Sequence, residues 1–249
     1  MDWSGTISST SVTISSLTAL VMDLPLVRHQ AKRLDQGSSS MSIEAMLDLQ
    51  ARAFGIDRRL QFWYDSLDEA LHPRIIGRNE LHLFKDHEAK YLYDDAATSY
   101  RDVAAAYVFN FYRIFRIYCH TAILSVQASL RRSQPAIYEH QLNATSWLMV
   151  QVMVDKICSS VPFHFGKLPP TVYEQKLPSP ATCAFYVIQP LLIAASVKDI
   201  PEKQRQWLQD MIQLAIDTPK DKNSALLHIG ATVKMTSFAL QEHSNGVQS

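Results

Sequence analysis

Glycine is scarce in this chain, at 7 of 249 residues. Tight hairpin turns lean on glycine for positive φ, so a sheet woven from many hairpins is not expected and long helices fit better. Cysteine is scarcer still. Cys119, Cys158 and Cys183 are odd in number and far apart, which leaves no disulfide framework and no short-spaced thiolate quartet for zinc. Reduced thiols in an intracellular compartment are expected. No basic start followed by an apolar run opens the sequence, so secretion is not expected and Asn143-Ala144-Thr145 would not be glycosylated. No apolar run approaches the roughly 20 residues of a membrane span. The longest candidate, Phe185 to Val197, is interrupted by Gln189-Pro190. An excess of either charge is missing too: 24 basic and 24 acidic residues cancel. Grip on duplex DNA draws on a basic excess that releases counterions from phosphates, so direct nucleic-acid binding is not expected. Gly-rich phosphate loops are absent.

What remains is 47% hydrophobic and long enough to bury a sizeable core. Leu17, Leu20, Leu24 and Val27 predict a helix from Leu17 to Leu34, kinked or broken at Pro25. Gly37 to Ser40 reads as a loop. Ser42 caps a helix from Ile43 with Met46, Leu49 and Ala53 as its stripe; Gly55 ends it and Asp57 caps another through Phe62, Trp63 and Leu67. Residues 73 to 94 read as loop or short helix. The longest helix is expected over roughly 96 to 131, on the repeat Val103, Tyr107, Asn110/Phe111, Ile114, Tyr118 and Thr121. Pro135 opens a further helix that Pro162 stops. A connector over 164 to 180 follows, holding Pro169, Pro170 and Pro178. Cys183 to Val197 reads as a helix apolar on all sides. Pro201 then begins a helix through Trp207, Met211 and Ala215, and Leu226 to Leu240 forms the last.

Several residues invite chemistry. Arg113 and Arg116, near Asn110 on the long helix, could bind a carboxylate; in so apolar a setting they read better as arginines satisfying carbonyls or a carboxylate between helices. His82 and His87 are badly phased for joint metal ligation. Cys119 and His120 point about 100° apart on a helix, so a core cysteine beside a surface histidine fits better than a nucleophile and its base. Ser159 and Ser160 near His164 lack a Gly-x-Ser-x-Gly elbow, and a helix end running into Pro162 explains them. The aromatic stripe Tyr107, Phe111, Phe115 and Tyr118 reads as core. No catalytic, metal or DNA-binding residue is assigned, and no cofactor.

Two segments carry more. One is Ala106-Tyr107-Val108-Phe109-Asn110-Phe111-Tyr112-Arg113-Ile114-Phe115-Arg116-Ile117. The other is Ile157-Cys158-Ser159-Ser160-Val161-Pro162-Phe163-His164-Phe165-Gly166. Gln189-Pro190-Leu191 and Arg205-Gln206-Trp207-Leu208 follow in order. Together these resemble the regulatory region of fungal-specific transcription factors of the zinc binuclear cluster type. Phe109 stands where that family commonly has Trp, and Gln189 where it often has Trp before Pro-Leu. The resemblance spans roughly residues 100 to 215. Its signature positions here are Tyr107, Asn110, Tyr112, Arg113, Arg116, Val161, Pro162, Pro190 and Trp207, read as structural. The chain departs from the family in lacking the six cysteines of the zinc cluster.

The expected architecture is all-α, an irregular bundle of long helices joined by Pro-rich connectors. Residues 1–16 are expected as a flexible start, 17–240 as one regulatory domain and 241–249 as a flexible tail. The resemblance implies a non-enzymatic domain of transcriptional control in the nucleus, or otherwise the cytoplasm. It would mediate contacts with protein partners of the transcription machinery or a full-length regulator, with room for a small-molecule effector and no membrane partner. The rival readings are a stand-alone helical ligand-binding protein or enzyme of secondary metabolism on the same scaffold, or a non-functional fragment of a longer gene.

Overall fold

The computed structural model describes residues 16–37, 41–77, 80, 86–135, 144–168 and 180–218. Among the described residues the protein is all-α apart from one two-stranded antiparallel sheet. Its contacts group into two compact units. One comprises the chain through Glu69 with Phe111–Val154; the other comprises Ala70–Asn110 with the chain from Asp155 onward.

The first unit begins with a helical turn over 16–20. Helix α1 (Leu24–Asp35) follows, with Pro25 in its first turn. The expected helix from Leu17 is therefore in two pieces, because proline fits a first turn, where its missing N–H leaves no bond unmade. Leu24, Val27, Ala31 and Leu34 form the buried stripe. Helix α2 (Ile43–Asp65) packs on α1. The Ser42 hydroxyl caps it, accepting from the Ala45 N–H at 3.2 Å. Gly55 does not end this helix and Asp57 does not start another. Met46, Leu49, Ala53, Ile56, Leu60 and Trp63 continue one buried stripe past the glycine. That burial outweighs the roughly 1 kcal/mol glycine costs in a helix.

In the second unit, β1 (Arg74–Ile76) pairs antiparallel with β2 (Ala97–Ser99), Ile75 opposite Thr98. Pairing of residues 97–99 delays the long helix, α3, to Val103–Ser133. Its start is capped by the Asp102 carboxylate, which accepts from the Ala105 N–H at 2.7 Å. Helix α4 (Ala144–His164) runs through Pro162 instead of stopping there. So close to the end, proline forfeits little, and Gly166 at φ +63° closes the helix as the Lys167 N–H reaches the Pro162 carbonyl at 2.8 Å. Helix α5 (Pro180–Ser196) contains Pro190 and is apolar as expected, but it is not buried on every side: Leu192 is exposed. Pro201 is the cap residue of α6 (Glu202–Asp217), one position earlier than expected. Helices α5 and α6 pack together, and Arg205 donates to the Ala195 and Lys198 carbonyls at 2.6 and 2.5 Å. The expected helix start after Pro135, most of the 164–180 connector and the helix from Leu226 lie outside the described residues. Among the described residues no helix is long and apolar enough to cross a membrane.

Gly55 offers a direct check on this account. Its φ is not in the left-handed region, and an added Cβ would meet nothing nearer than Arg59 Nη1 at 3.8 Å. Gly55→Ala should therefore stabilise the protein by about 0.5–1 kcal/mol. The midpoint of urea unfolding reads this; a lower midpoint would mean that α2 needs the glycine.

Candidate functional site

The densest buried polar cluster of the first unit is spaced by helix geometry. On α3, Tyr112, Arg116 and His120 recur every four residues and so share one face. On α2, Asp57 and Gln61 do the same. Arg116 donates Nε to Asp57 Oδ1 at 2.7 Å and Nη2 to Asp57 Oδ2 at 3.1 Å, a bidentate pair. Its Nη1 serves Gln61 Oε1 and, at 2.9 Å, the Tyr112 hydroxyl. Tyr112 lies between the Tyr64 and Trp63 rings, at 5.1 and 5.7 Å.

The electrostatics follow from burial. Desolvation pushes the Asp57 carboxyl up, but the adjacent His120 and Arg116 outweigh it and hold the pKa below its ordinary value. Desolvation likewise works against the Arg116 charge, and Asp57 more than restores it. Burial pushes the Tyr112 phenol up to about 12, with Arg116 drawing it partly back. Arg113 is buried as well, and its charge lowers the Tyr64 phenol pKa against a larger rise from burial.

His120 was expected at the surface and is instead 4% exposed. The reason is its phase: one turn beyond Arg116, it shares the face that meets Asp57. Its Nδ1 lies 3.2 Å from Ser146 Oγ, and its Nε2 lies 3.2 Å from Asp57 Oδ1. The second contact is close enough for ion pairing but is not aligned as a hydrogen bond. Serine, histidine and aspartate in that order invite comparison with a hydrolase triad. Two features argue against it. All three side chains are buried away from any substrate, and both oxygens of Asp57 are already engaged by Arg116. Nor are the thiols poised: burial pushes Cys119 far up and Cys158 to about 12, so neither is a thiolate at neutral pH.

The second unit holds a counterpart without an arginine–carboxylate pair at its centre. Asn110 is fully buried, with Nδ2 3.3 Å from Ser160 Oγ and 3.1 Å from His164 Nε2. Ser160 donates its own proton to the Ile157 carbonyl at 2.7 Å, so it accepts from Asn110 and is no nucleophile for His164. Ser159 donates to the Lys156 carbonyl at 3.0 Å and lies 2.8 Å from Thr98 Oγ1. Gln204 Nε2 reaches Asp155 Oδ1 at 2.8 Å and Cys158 Sγ at 3.6 Å.

The remaining signature positions are distributed around these contacts. Tyr107 meets the Tyr186 ring edge-on at 5.1 Å. Val161 is fully buried, and Pro162 and Pro190 are also buried, each inside a helix. Trp207 donates its indole N–H to the Lys90 carbonyl at 3.0 Å and packs on Tyr93. Sequence reading missed Asp57 and Gln61 as partners of Arg116. The available signal was the polar stripe Tyr112, Arg116, His120 inside an otherwise apolar helix, which requires a polar stripe opposite. Among the described residues no cluster of three or more His, Cys, Asp or Glu side chains forms a metal site; His82 and the His87 side chain lie outside them. Compared with protein-family models, with curated proteins and with solved structures, the chain finds no match.

Removing Arg116 strands the Asp57 charge. Arg116→Ala should cost about 3–5 kcal/mol. Arg116→Lys should restore only part of this, because an ammonium cannot engage both carboxylate oxygens in a planar fork. Because the Asp57 pKa is depressed by folding, its contribution is fully present above the unfolded value of roughly 4 and lost as pH falls through the folded value. Urea midpoints of the parent should therefore fall more steeply below about pH 4 than those of Asp57→Asn. Parallel curves would mean that the pair does not set acid stability.

Proposed function

We propose that this chain is a regulatory, protein-interacting helical domain of the kind that follows the zinc binuclear cluster in fungal transcription factors. It would act in the nucleus through partner proteins. One observation carries the reading: the segments that bear the resemblance are wired to one another by buried polar side chains. Asn110 of the first segment holds Ser160 and His164 of the second. Gln204, beside the Arg205-x-Trp207 segment, holds Asp155 and Cys158 at the start of the second. Arg205 holds the end of the helix that contains Pro190. Residues that sit far apart in sequence yet complete one another's hydrogen bonds form a structural kernel, and a kernel of that kind explains why they occur as a set.

A binding role fits this chemistry better than catalysis. The serine hydroxyls near histidines are buried, and those of Ser159 and Ser160 are committed to helix carbonyls. The Cys119 and Cys158 thiols are buried and protonated. The zero net charge supports action through protein contacts in place of direct grip on DNA.

Tethering tests this. Fused to an unrelated DNA-binding module, the chain should change the output of a reporter carrying that module's site. Asn110→Ala, which leaves Ser160 and His164 without their partner at a cost of about 1–3 kcal/mol, should weaken the change as it lowers the melting temperature. A fusion present at the same level as the bare module and giving the same output would refute the reading.

A further inference from the structure

The outer side of α2 carries a feature that the buried networks do not use. A groove of about 710 Å³ lies between the helical turn over 16–20 and the second half of α2, within the first unit. Leu20, Phe62 and Trp63 supply its apolar lining, and among the described residues Arg58 and Arg59 supply its charges. The size falls in the range of small-molecule sites.

Three observations point the same way. First, the two guanidiniums are not neutralised. Among the described residues neither meets a carboxylate, Arg58 makes no side-chain hydrogen bond, and Arg59 has one long contact, from Nη2 to the Leu20 carbonyl at 3.4 Å. Second, Phe62 is 76% exposed although it sits among apolar lining residues. A large aromatic left in water beside a concave apolar surface marks a place where burial is still to be gained. Third, the floor of the groove is Gly55. Nothing in the fold requires glycine there: its φ is ordinary and an added Cβ would meet no atom within 3.4 Å. A helix bears the cost of a mid-helix glycine without structural return, and the space a side chain would fill is the groove itself.

We infer that this groove is a binding site for a small amphipathic carboxylate: an apolar body bearing one anionic head. The head is held by Arg58 and Arg59, whose planar donor forks match a carboxylate. The body covers Phe62, Leu20 and Trp63. The Trp63 indole N–H is already given to Ser16 Oγ at 3.1 Å, so the arginines are the donors left for the head group. Two cations are too few for a duplex-binding surface, which sets nucleic acid aside. The inference rests on the groove alone and does not depend on a role in transcription.

Calorimetric titration of the full chain with decanoate, with decanol as the uncharged control, tests it. Decanoate should bind saturably at one per chain. Decanol should bind about tenfold more weakly or worse, since it lacks the charge-assisted bonds, and Arg58→Gln with Arg59→Gln should weaken decanoate by a similar factor. Gly55→Leu should abolish binding by filling the floor. Should that variant fail to fold, Gly55→Ala serves instead: it should keep or raise the melting temperature while weakening decanoate. The inference is overturned by several outcomes. These are no saturable binding to the parent, equal affinity for decanol, or affinity unchanged by the arginine and glycine substitutions. A variant lacking residues 1–15 that binds much more tightly would also overturn it, by assigning the groove to the chain's own leading segment. So would saturation by an acidic, leucine-rich peptide at concentrations where decanoate does not bind, which would assign it to a protein partner.

Discussion

A guanidinium taken out of water must find an acceptor for each of its donors, and in the first unit that requirement organises everything around it. Arg116 has Asp57 on two donors, Gln61 and Tyr112 on a third. Meeting those needs fixes the rotation of α2 and α3 about their own axes, because only one phase of each helix brings a four-residue polar stripe into register with the other. Apolar packing alone would tolerate sliding by a turn at modest cost. A bidentate carboxylate does not, so the pair specifies the arrangement even where it adds little net stability. The stacking of Tyr112 on Tyr64 and its tilted contact with Trp63 depend on the same phase.

The second unit solves the same problem without an arginine–carboxylate pair at its centre. Asn110, Ser160 and His164 are each almost wholly buried, and each is short enough to be satisfied by neighbours on α3 and α4. The Ile157 carbonyl takes up the Ser160 proton, which leaves the Ser160 oxygen to accept from Asn110. A carboxylate sits at the centre of the first cluster, while the carboxylate of the second, Asp155, lies at its margin with Gln204. Helices α3 and α4 each contribute residues to both units.

Much of the fold was legible in the sequence because it follows from helical period and capping. Ser42 as a cap, the long helix through Tyr107 and Ile114, and the helix through Trp207 and Met211 all rest on local pattern. The misreadings have a common cause. Gly55, Pro162 and the pairing of residues 97–99 were judged by local propensity, and in each case the outcome was set elsewhere: by a stripe running past the glycine, by closeness to a helix end, by a strand more than twenty residues back. Asp57 shows the limit most plainly. Following Gly55, it has the local look of a cap, and only Arg116, 59 residues later, makes it a buried ion-pair partner. His120 was placed at the surface for a similar reason, since a lone residue beside Cys119 does not disclose which face it shares.

Helix α2 shows how one element can serve two ends with few residues. A step of one residue turns the side chain by about 100°, so Asp57 points inward to Arg116 while Arg58 and Arg59 point outward to the groove. Inward positions are held by packing and by the ion pair, and change there propagates through the unit. Outward positions carry no such burden: Phe62 and Arg58 are exposed, and Gly55 has open space where a side chain would go. Variation on the outer face can thus alter what the groove accepts while the inner face keeps the fold. The Asp57–Arg116 pair also fixes where the two arginines leave the helix, one and two residues after the anchored carboxylate.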